Sequence, residues 1–368
     1  MTASTFDTAR PQAQPTHTPA QPGRTPAQPD RVPAQAGRPP AHPGRTPAHR
    51  HTPPAWDHTP PPCGPGPWTS TVPRELVHRA AVAEVLLTDW QRHSETHYTI
   101  TAQWPRGHSF YTPIAGTHHD PLIAAETIRQ AGALLAHAEF DVPLGHHFLL
   151  EELTLTTNPR HLHTGPTPAA LTLHINCTRI TRRNGHLHRL TYETHLTRDQ
   201  HTAGTGRITF TTITPAVYHR IRPAHVFTPT HQPLPLTTPL TPQTVGRHHP
   251  HDVVLSPTPH PHHYTLRTNT HHPHLFDHPQ DHIPGMLLLE AARQAATATH
   301  NHNNPHPTTH HLPTHHTTHF THYAELDHPT HIHTHPTTNP HTLHITAHQN
   351  NHTIFHTTLT TQPTQPTT

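Results

Sequence analysis

The sequence predicts an α+β architecture written twice: two tandem halves, each a long central helix wrapped by an antiparallel β-sheet. Three observations carry this reading. "HHDPLIAAETIRQAGALLAHA" from His118 and "DHIPGMLLLEAARQAATATH" from Asp281 share one pattern: His shortly before Pro, an apolar run, then Glu-x-x-Arg-Gln-Ala. Both runs are apolar nearly all round, so each helix must be covered on every side. Each is followed by segments of period-2 alternation, the signature of half-buried strands. A curved antiparallel sheet around one long helix is the hotdog arrangement, and two copies in series are an internal duplication at domain scale.

The elements follow in order. Residues 1–72 repeat short Pro-rich units such as "GRTPAQPDRVPAQAGRPPAHPGRTPAH". They hold too few large apolar side chains to offset backbone entropy and are expected to be a disordered tail. The first half is expected over residues 73–222, starting near "RELVHRAAVAEVLLTDW". "THYTITAQWP" reads as a strand. The first helix follows over about 120–138, with Asp120 as N-cap and Pro121 as N1. "HFLLEELTLTT", "AALTLHINCTRITRR", "HLHRLTYETHLT" and "GRITFTTI" read as strands, with Asn184-Gly185 marking a two-residue hairpin.

A Pro/Thr-rich linker is expected over 223–245, and a second half over 246–362, leaving 363–368 as a tail. There "HHYTLRTN" reads as a strand, followed by the second helix. "HFTHYAEL", "HTLHITAH" and "HTIFHTTLTT" read as further strands, the last two joined by a hairpin at Asn350-Asn351.

Composition narrows the function classes. The 368 residues suffice for about two domains. There are 53 His and 48 Pro but no Lys. His, Thr and Pro share C-rich codons, so compositional drift accounts for the His content more simply than selection for His chemistry. A net charge of +2 gives no reason to expect nucleic acid or an anionic membrane as partner. Cys63 and Cys177 fit neither a disulfide framework nor a zinc site. No run approaches the 18 or so apolar residues of a membrane span, and no signal peptide is evident. A cytoplasmic protein is expected, with no cofactor.

Glu126 and Glu290 stand out. A lone carboxylate inside such a helix costs several kcal/mol, so it must be paired, protonated or functional. Arg129 and Arg293 each lie three residues on and share the face of their Glu. A buried ion pair that orients the helix and a working carboxylate are both open at this point.

"DHIPGMLLLEAARQAA" resembles the helix start of hotdog dehydratases acting on 3-hydroxyacyl carrier-protein substrates, with Pro284-Gly285, Glu290 and Gln294 in the matching places and His278 or His282 as the upstream His. The chain as a whole is more similar to the A-factor biosynthesis (AfsA-type) family of actinomycetes. "VHRAAVAEVLLTDW", "AQWPRGHSFY", "HDPLIAAETIRQAGALLAH", "PLGHHFLLEELTL" and "LFDHPQDHIPGMLLLEAARQAA" carry that resemblance over about residues 72–360. It implies tandem hotdog domains and an acyltransferase of γ-butyrolactone signal synthesis. The implied partners are an acyl carrier protein bearing a 3-oxoacyl chain and dihydroxyacetone phosphate, whose hydroxyl is esterified. The chain would be a monomeric pseudo-dimer or a homodimer.

Such a reaction needs a base for the hydroxyl, donors for the thioester oxyanion and a cation for the phosphate. Glu126 with His119, or Glu290 with His278, is expected to supply acid/base function, burial raising the Glu pKa toward the working range. The carbonyl is expected at a helix N-terminus, near Asp120–Leu122 or Gly285–Met286. Arg129 or Arg293 would anchor the phosphate, with Gln130 and Gln294 beside them. Competing readings are a dehydratase or thioesterase on acyl thioesters, and a non-catalytic lactone-binding regulator. His331, His333 and His335 in "HIHTH" would share one strand face, yet with His at this frequency such clusters arise by chance and no native metal site is expected.

Overall fold

The computed structural model describes residues 69–111, 116–228, 231–302 and 310–364. The expected N-terminal tail lies outside the described residues as far as residue 68, as do residues 365–368. Val72 is already buried, and its amide donates to the Leu87 carbonyl at 3.0 Å.

In the first half, β1 (Leu87–Arg92) and β2 (His97–Trp104) precede helix α1 (Pro121–Ala138). Strands β3 (His147–Thr157), β4 (Ala169–Arg183), β5 (His186–Arg198) and β6 (His201–Ile213) follow, then a short helix α2 (Pro215–Ile221). The second half repeats the order: β7 (Leu255–Pro257), β8 (His263–Leu266), α3 (Gly285–Asn301), β9 (His310–Phe320), β10 (His331–Pro336), β11 (Thr342–Gln349) and β12 (His352–Thr364).

Among the described residues the strands form one sheet in the order β1-β2-β4-β5-β6-β3-β9-β12-β11-β10-β8-β7. Read from either edge toward the middle, the two halves have the same topology. They join where β3 runs antiparallel to β9, Glu152 opposite His319 and Thr156 opposite His315. This is the expected tandem arrangement, with a pseudo-twofold axis passing between β3 and β9.

Local chemistry accounts for the elements. Asp120 caps α1, its Oδ1 accepting from Leu122 N at 2.9 Å, with Pro121 at N1. Nearly every α1 side chain is buried, as its all-round apolar pattern requires. Gly132 faces Tyr192: a Cβ there would meet the phenol oxygen at 2.5 Å, so only glycine lets the helix approach β5 this closely. The hairpin at Asn184-Gly185 has φ of 50° and 83°, and that at Asn350-Asn351 has 52° and 63°, the positive values a tight two-residue turn needs.

Three expectations shift. "HFTHYAEL" is not a strand: β9 ends at Phe320, and its body is the His- and Thr-rich run from His310. Pro313 hid it, because proline cannot donate to a ladder; it sits beside the register shift at Thr360/Thr361, where a bulge tolerates it. The segment expected as a linker is docked, with Leu234 N donating to Leu326 O, Leu240 N to Leu255 O, and Val245 buried. Strands β1 and β7, at the two edges of the sheet, are additional to the strands expected.

Candidate functional site

The repeated polar triplet forms two matching buried clusters. Glu126 accepts from Arg129 Nε at 2.9 Å and Nη2 at 2.8 Å, from Arg79 Nε at 3.0 Å and from Gln130 Nε2 at 2.8 Å. Glu290 accepts from Arg293 Nε at 2.9 Å and Nη2 at 2.7 Å, from Arg247 Nε at 2.9 Å and from Gln294 Nε2 at 2.6 Å. The spacing i, i+3, i+4 on a helix puts all three side chains on one face. Gln130 Oε1 also accepts from Leu86 N, and Gln294 Oε1 from Val254 N, so each glutamine ties the edge of the sheet to its helix.

These contacts correct the expected acid/base role of the glutamates. Burial alone would raise both carboxyls. The guanidinium groups of Arg129 and Arg79 outweigh it at Glu126, and those of Arg247 and Arg293 at Glu290, holding each at about 2. A carboxylate so acidic, with its oxygens occupied, is a poor proton acceptor near neutrality.

The symmetry breaks at the helix N-termini. At α1, Asp120 caps the helix, and its Oδ2 lies 3.7 Å from Arg247 and 3.8 Å from Arg293. The arginines of the Glu290 cluster thus face a second carboxylate in a closed interior. At α3 the N-cap is Pro284, which offers no side-chain cap, and the next residue is Gly285. Here the space is open. A cavity of 780 Å³ is lined by Pro284, Gly285 and Met286 on one side and by Arg79 and Arg129 on another. Arg129 is 23% exposed where its counterpart Arg293 is 8%.

The expected His partners are exchanged by this geometry. The loop bearing His278 packs on the Glu126 cluster: Arg79 Nη1 donates to His274 O at 3.4 Å, and Ala80 N and Ala81 N donate to Asp277. Asp120, beside His119, packs on the Glu290 cluster. Each half therefore completes the other's cluster, because the loop ahead of one central helix reaches across the pseudo-twofold axis. His119 itself is buried against the Trp104 ring, 5.2 Å between centroids, and burial pushes its pKa down to about 4. His278 lines the cavity, with Nδ1 at 3.3 Å from Asp277 Oδ2.

Further residues stand at or beside the cavity, among them His282, the alternative upstream His. His282 Nδ1 lies 2.7 Å from Asp281 Oδ1, and Tyr218 Oη donates to the same carboxylate at 2.7 Å. Burial would raise the Asp281 carboxyl, but the bonds from His282 and Tyr218 hold it well below the usual range. With Nδ1–H directed at Asp281, His282 Nε2 keeps a lone pair. Arg222 forms a bidentate pair with Glu325 at 2.6 and 2.8 Å, and its guanidinium lies 4.2 Å from the centre of the Tyr323 ring in the cavity wall. Arg79 had a signal in the sequence: Val77-His78-Arg79 matches Val245-Gly246-Arg247, and His78 and Gly246 both adopt positive φ. Tyr218 and Arg222 had none, since α2 has no counterpart among the described residues of the second half.

Other flagged residues are structural. Burial pushes the Cys177 thiol up to about 12, which leaves it unreactive. His331, His333 and His335 do share one face of β10, opposite the buried Ile332 and Thr334. No described helix is long and apolar enough to cross a membrane.

Comparison with known proteins bears on this geometry. Residues 65–227 and 228–365 each match the model of the A-factor biosynthesis hotdog domain. A 2-oxo-3-(phosphooxy)propyl 3-oxoalkanoate synthase of Streptomyces virginiae is 49% identical over 261 residues, covering 71% of this chain and 86% of its own. The protein of that name from Streptomyces coelicolor is 38% identical over 258 residues, covering 70% and 80%. Among solved structures, an acyl-ACP thioesterase from Bacteroides thetaiotaomicron covers 72% of this chain and 98% of its own, at 9% identity and a TM-score of 0.44.

Proposed function

The chain belongs to the A-factor biosynthesis hotdog family, and on that premise we propose that it is an acyltransferase esterifying the hydroxyl of dihydroxyacetone phosphate with a 3-oxoacyl group from acyl carrier protein. The observation that carries this reading is the open cavity where the uncapped end of α3, two arginines and the Asp281–His282 pair meet. The ester formed would be the 2-oxo-3-(phosphooxy)propyl 3-oxoalkanoate for which the relatives are named.

Each group has one task. His282 Nε2 takes the proton of the attacking hydroxyl, with Asp281 orienting the ring and stabilising its cationic form, and Tyr218 holding Asp281. The hydroxyl oxygen attacks the thioester carbon, and the amides of Gly285 and Met286 stabilise the oxyanion at the positive end of α3. The C–S bond then breaks, and the proton on His282 passes to the leaving thiolate. Glu126 and Asp277 both act on Arg79, so Arg129, the more exposed of the two arginines, is the cation offered to the phosphate. His278 borders the acceptor and orders it. The apolar walls from Phe148, Leu150, Ile208 and Phe210 take the acyl chain. Both sides of the site come from one chain, so a monomer suffices.

Incubation with a 3-oxoacyl carrier protein and dihydroxyacetone phosphate, followed by mass spectrometry, should yield the phosphorylated ester. Release of free acid alone would instead make the protein a thioesterase, and water loss from a 3-hydroxyacyl substrate a dehydratase. His282→Gln should lower kcat about 100-fold, as loss of a general base does. Arg129→Met should raise the KM for the acceptor about 10- to 100-fold, the worth of one charge-assisted bond to phosphate, and leave the thioester KM within a few-fold.

A further inference from the structure

Among the described residues, two groups of three His and acidic side chains bring their ligand atoms within 4.8 Å of one another: Glu84, His108 and His274, and His225, His231 and Asp327. The first is satisfied without an ion. His108 Nδ1 accepts from Phe110 N and Tyr111 N, both at 3.1 Å, so its proton sits on Nε2, which faces Glu84. That nitrogen has no lone pair to give a metal. His274 bonds Glu84 through Nδ1 and Ser109 through Nε2, both at 2.6 Å.

The second group is different. The His231 side chain is only 6% exposed, yet neither ring nitrogen has a hydrogen-bond partner in the structure. A buried imidazole left in this state is costly unless something else engages it. Its Nδ1 lies 3.4 Å from Asp327 Oδ2, and His225 Nε2 lies 3.4 Å from the same oxygen. That separation is long for an N–H···O bond. It is, however, the edge of a coordination tetrahedron: donors about 2.0–2.1 Å from one ion at the tetrahedral angle stand about 3.4 Å apart. Asp327 Oδ1 is meanwhile bonded to His328 Nδ1 at 2.7 Å, the kind of outer contact that orients a metal-binding carboxylate.

We propose that His225, His231 and Asp327 bind a divalent transition-metal ion of the zinc type, with water completing its coordination. Two imidazoles and one carboxylate suit such an ion and not calcium or magnesium, which take oxygen ligands. None of the three residues lines the cavity. His225 belongs to the 3-10 turn Ala224–Phe227 in the crossing between halves, and Asp327 follows Tyr323 and Glu325, which shape and support the cavity wall. The ion would clamp the crossing segment to that wall.

With 53 His in the chain, weak metal binding elsewhere is expected, so the test must resolve the site. The full chain, stripped with chelator, is titrated with Co²⁺ and followed by the visible absorption of tetrahedral cobalt. Thermal unfolding with and without Zn²⁺ gives a second readout. One equivalent should bind with a tetrahedral band, and Zn²⁺ should raise Tm. His225→Ala, whose side chain is half exposed and whose loss leaves the fold intact, should weaken binding at least tenfold and abolish the Tm rise. Asp327→Asn should do the same, while His333→Ala on β10 should leave both unchanged. Undiminished binding in His225→Ala and Asp327→Asn, or equal loss in His333→Ala, would reduce the signal to adventitious coordination and overturn the site. Neither result touches the acyl-transfer assignment, which rests on other residues.

Discussion

Glu126→Gln and Glu290→Gln are each expected to destabilise the folded chain by about 3–5 kcal/mol at neutral pH, read as a lower urea midpoint with an unchanged slope. Each substitution removes the carboxylate that bridges two guanidinium groups, and at the Glu290 cluster only Asp120, 3.7 and 3.8 Å away, still faces both. A pair broken from one side costs more than the pair contributes, because the remaining charge stays desolvated. The sign with pH follows from the depressed folded pKa. Stability from these carboxylates is fully present above about 4.5 and is lost only as pH falls toward about 2. The two variants should differ in catalysis. Glu290→Gln should leave kcat and KM of the folded fraction within about twofold, since its cluster is closed off by Asp120. Glu126→Gln should raise the KM for the phosphorylated acceptor, since Arg79 and Arg129 lose the anchor that aims them. Wild-type stability in both variants would show that neither carboxylate holds its helix in place.

Mild acid should unfold the chain, with a midpoint near pH 5 by tryptophan fluorescence and far-UV circular dichroism. His78 and His316 are held down at about 3, each by burial first; Arg129 and His137 add to it at His78, and His315 and Arg293 at His316. Burial likewise holds His118, His119 and His300 at about 4. All are neutral when folded and free to protonate near 6.5 when unfolded. Their contribution is therefore intact above about 6.5 and drains away as pH falls from there toward 3 or 4. At pH 5, His78 and His316 cost about 2 kcal/mol each, against a total stability of about 5–15 kcal/mol. Histidine protonation therefore acts before the glutamates begin to titrate. His316→Leu isolates the effect. The ring is 1% exposed, and neither nitrogen has a hydrogen-bond partner in the structure. The variant should gain about 1 kcal/mol at pH 7 and unfold at lower pH. A midpoint below pH 4, or one that His316→Leu does not move, would refute this account.

The fold was legible because its strongest signals are local and occur twice. Helices apolar on all sides can only be core, and Asn-Gly or Asn-Asn between alternating segments can only be turns. What escaped reading depended on context. Pro313 argued against β9 because its bulge partner lies 48 residues further on at Thr361. Tyr218 and Arg222 meet Asp281 and Glu325 across 63 and 103 residues, separations at which no local pattern operates. The notable residues of the site were half legible. Glu126, Arg129, Gln130, Gly285 and His278 drew notice for their chemistry, and the structure separates those that face the cavity from those that build its frame.

Residue order alone determined that the chain would fold as two like halves around two helices, that charges buried in those helices would need partners, and that one helix would begin Asp-Pro and the other Pro-Gly. Only the tertiary structure decided what that last difference means. The loop ahead of each helix crosses to the other half, so Asp120 neutralises the arginines of one cluster while Pro284 and Gly285 leave the other open. A carboxylate placed against two guanidiniums closes a site by satisfying it, and a helix end without a capping side chain keeps its amides for a ligand.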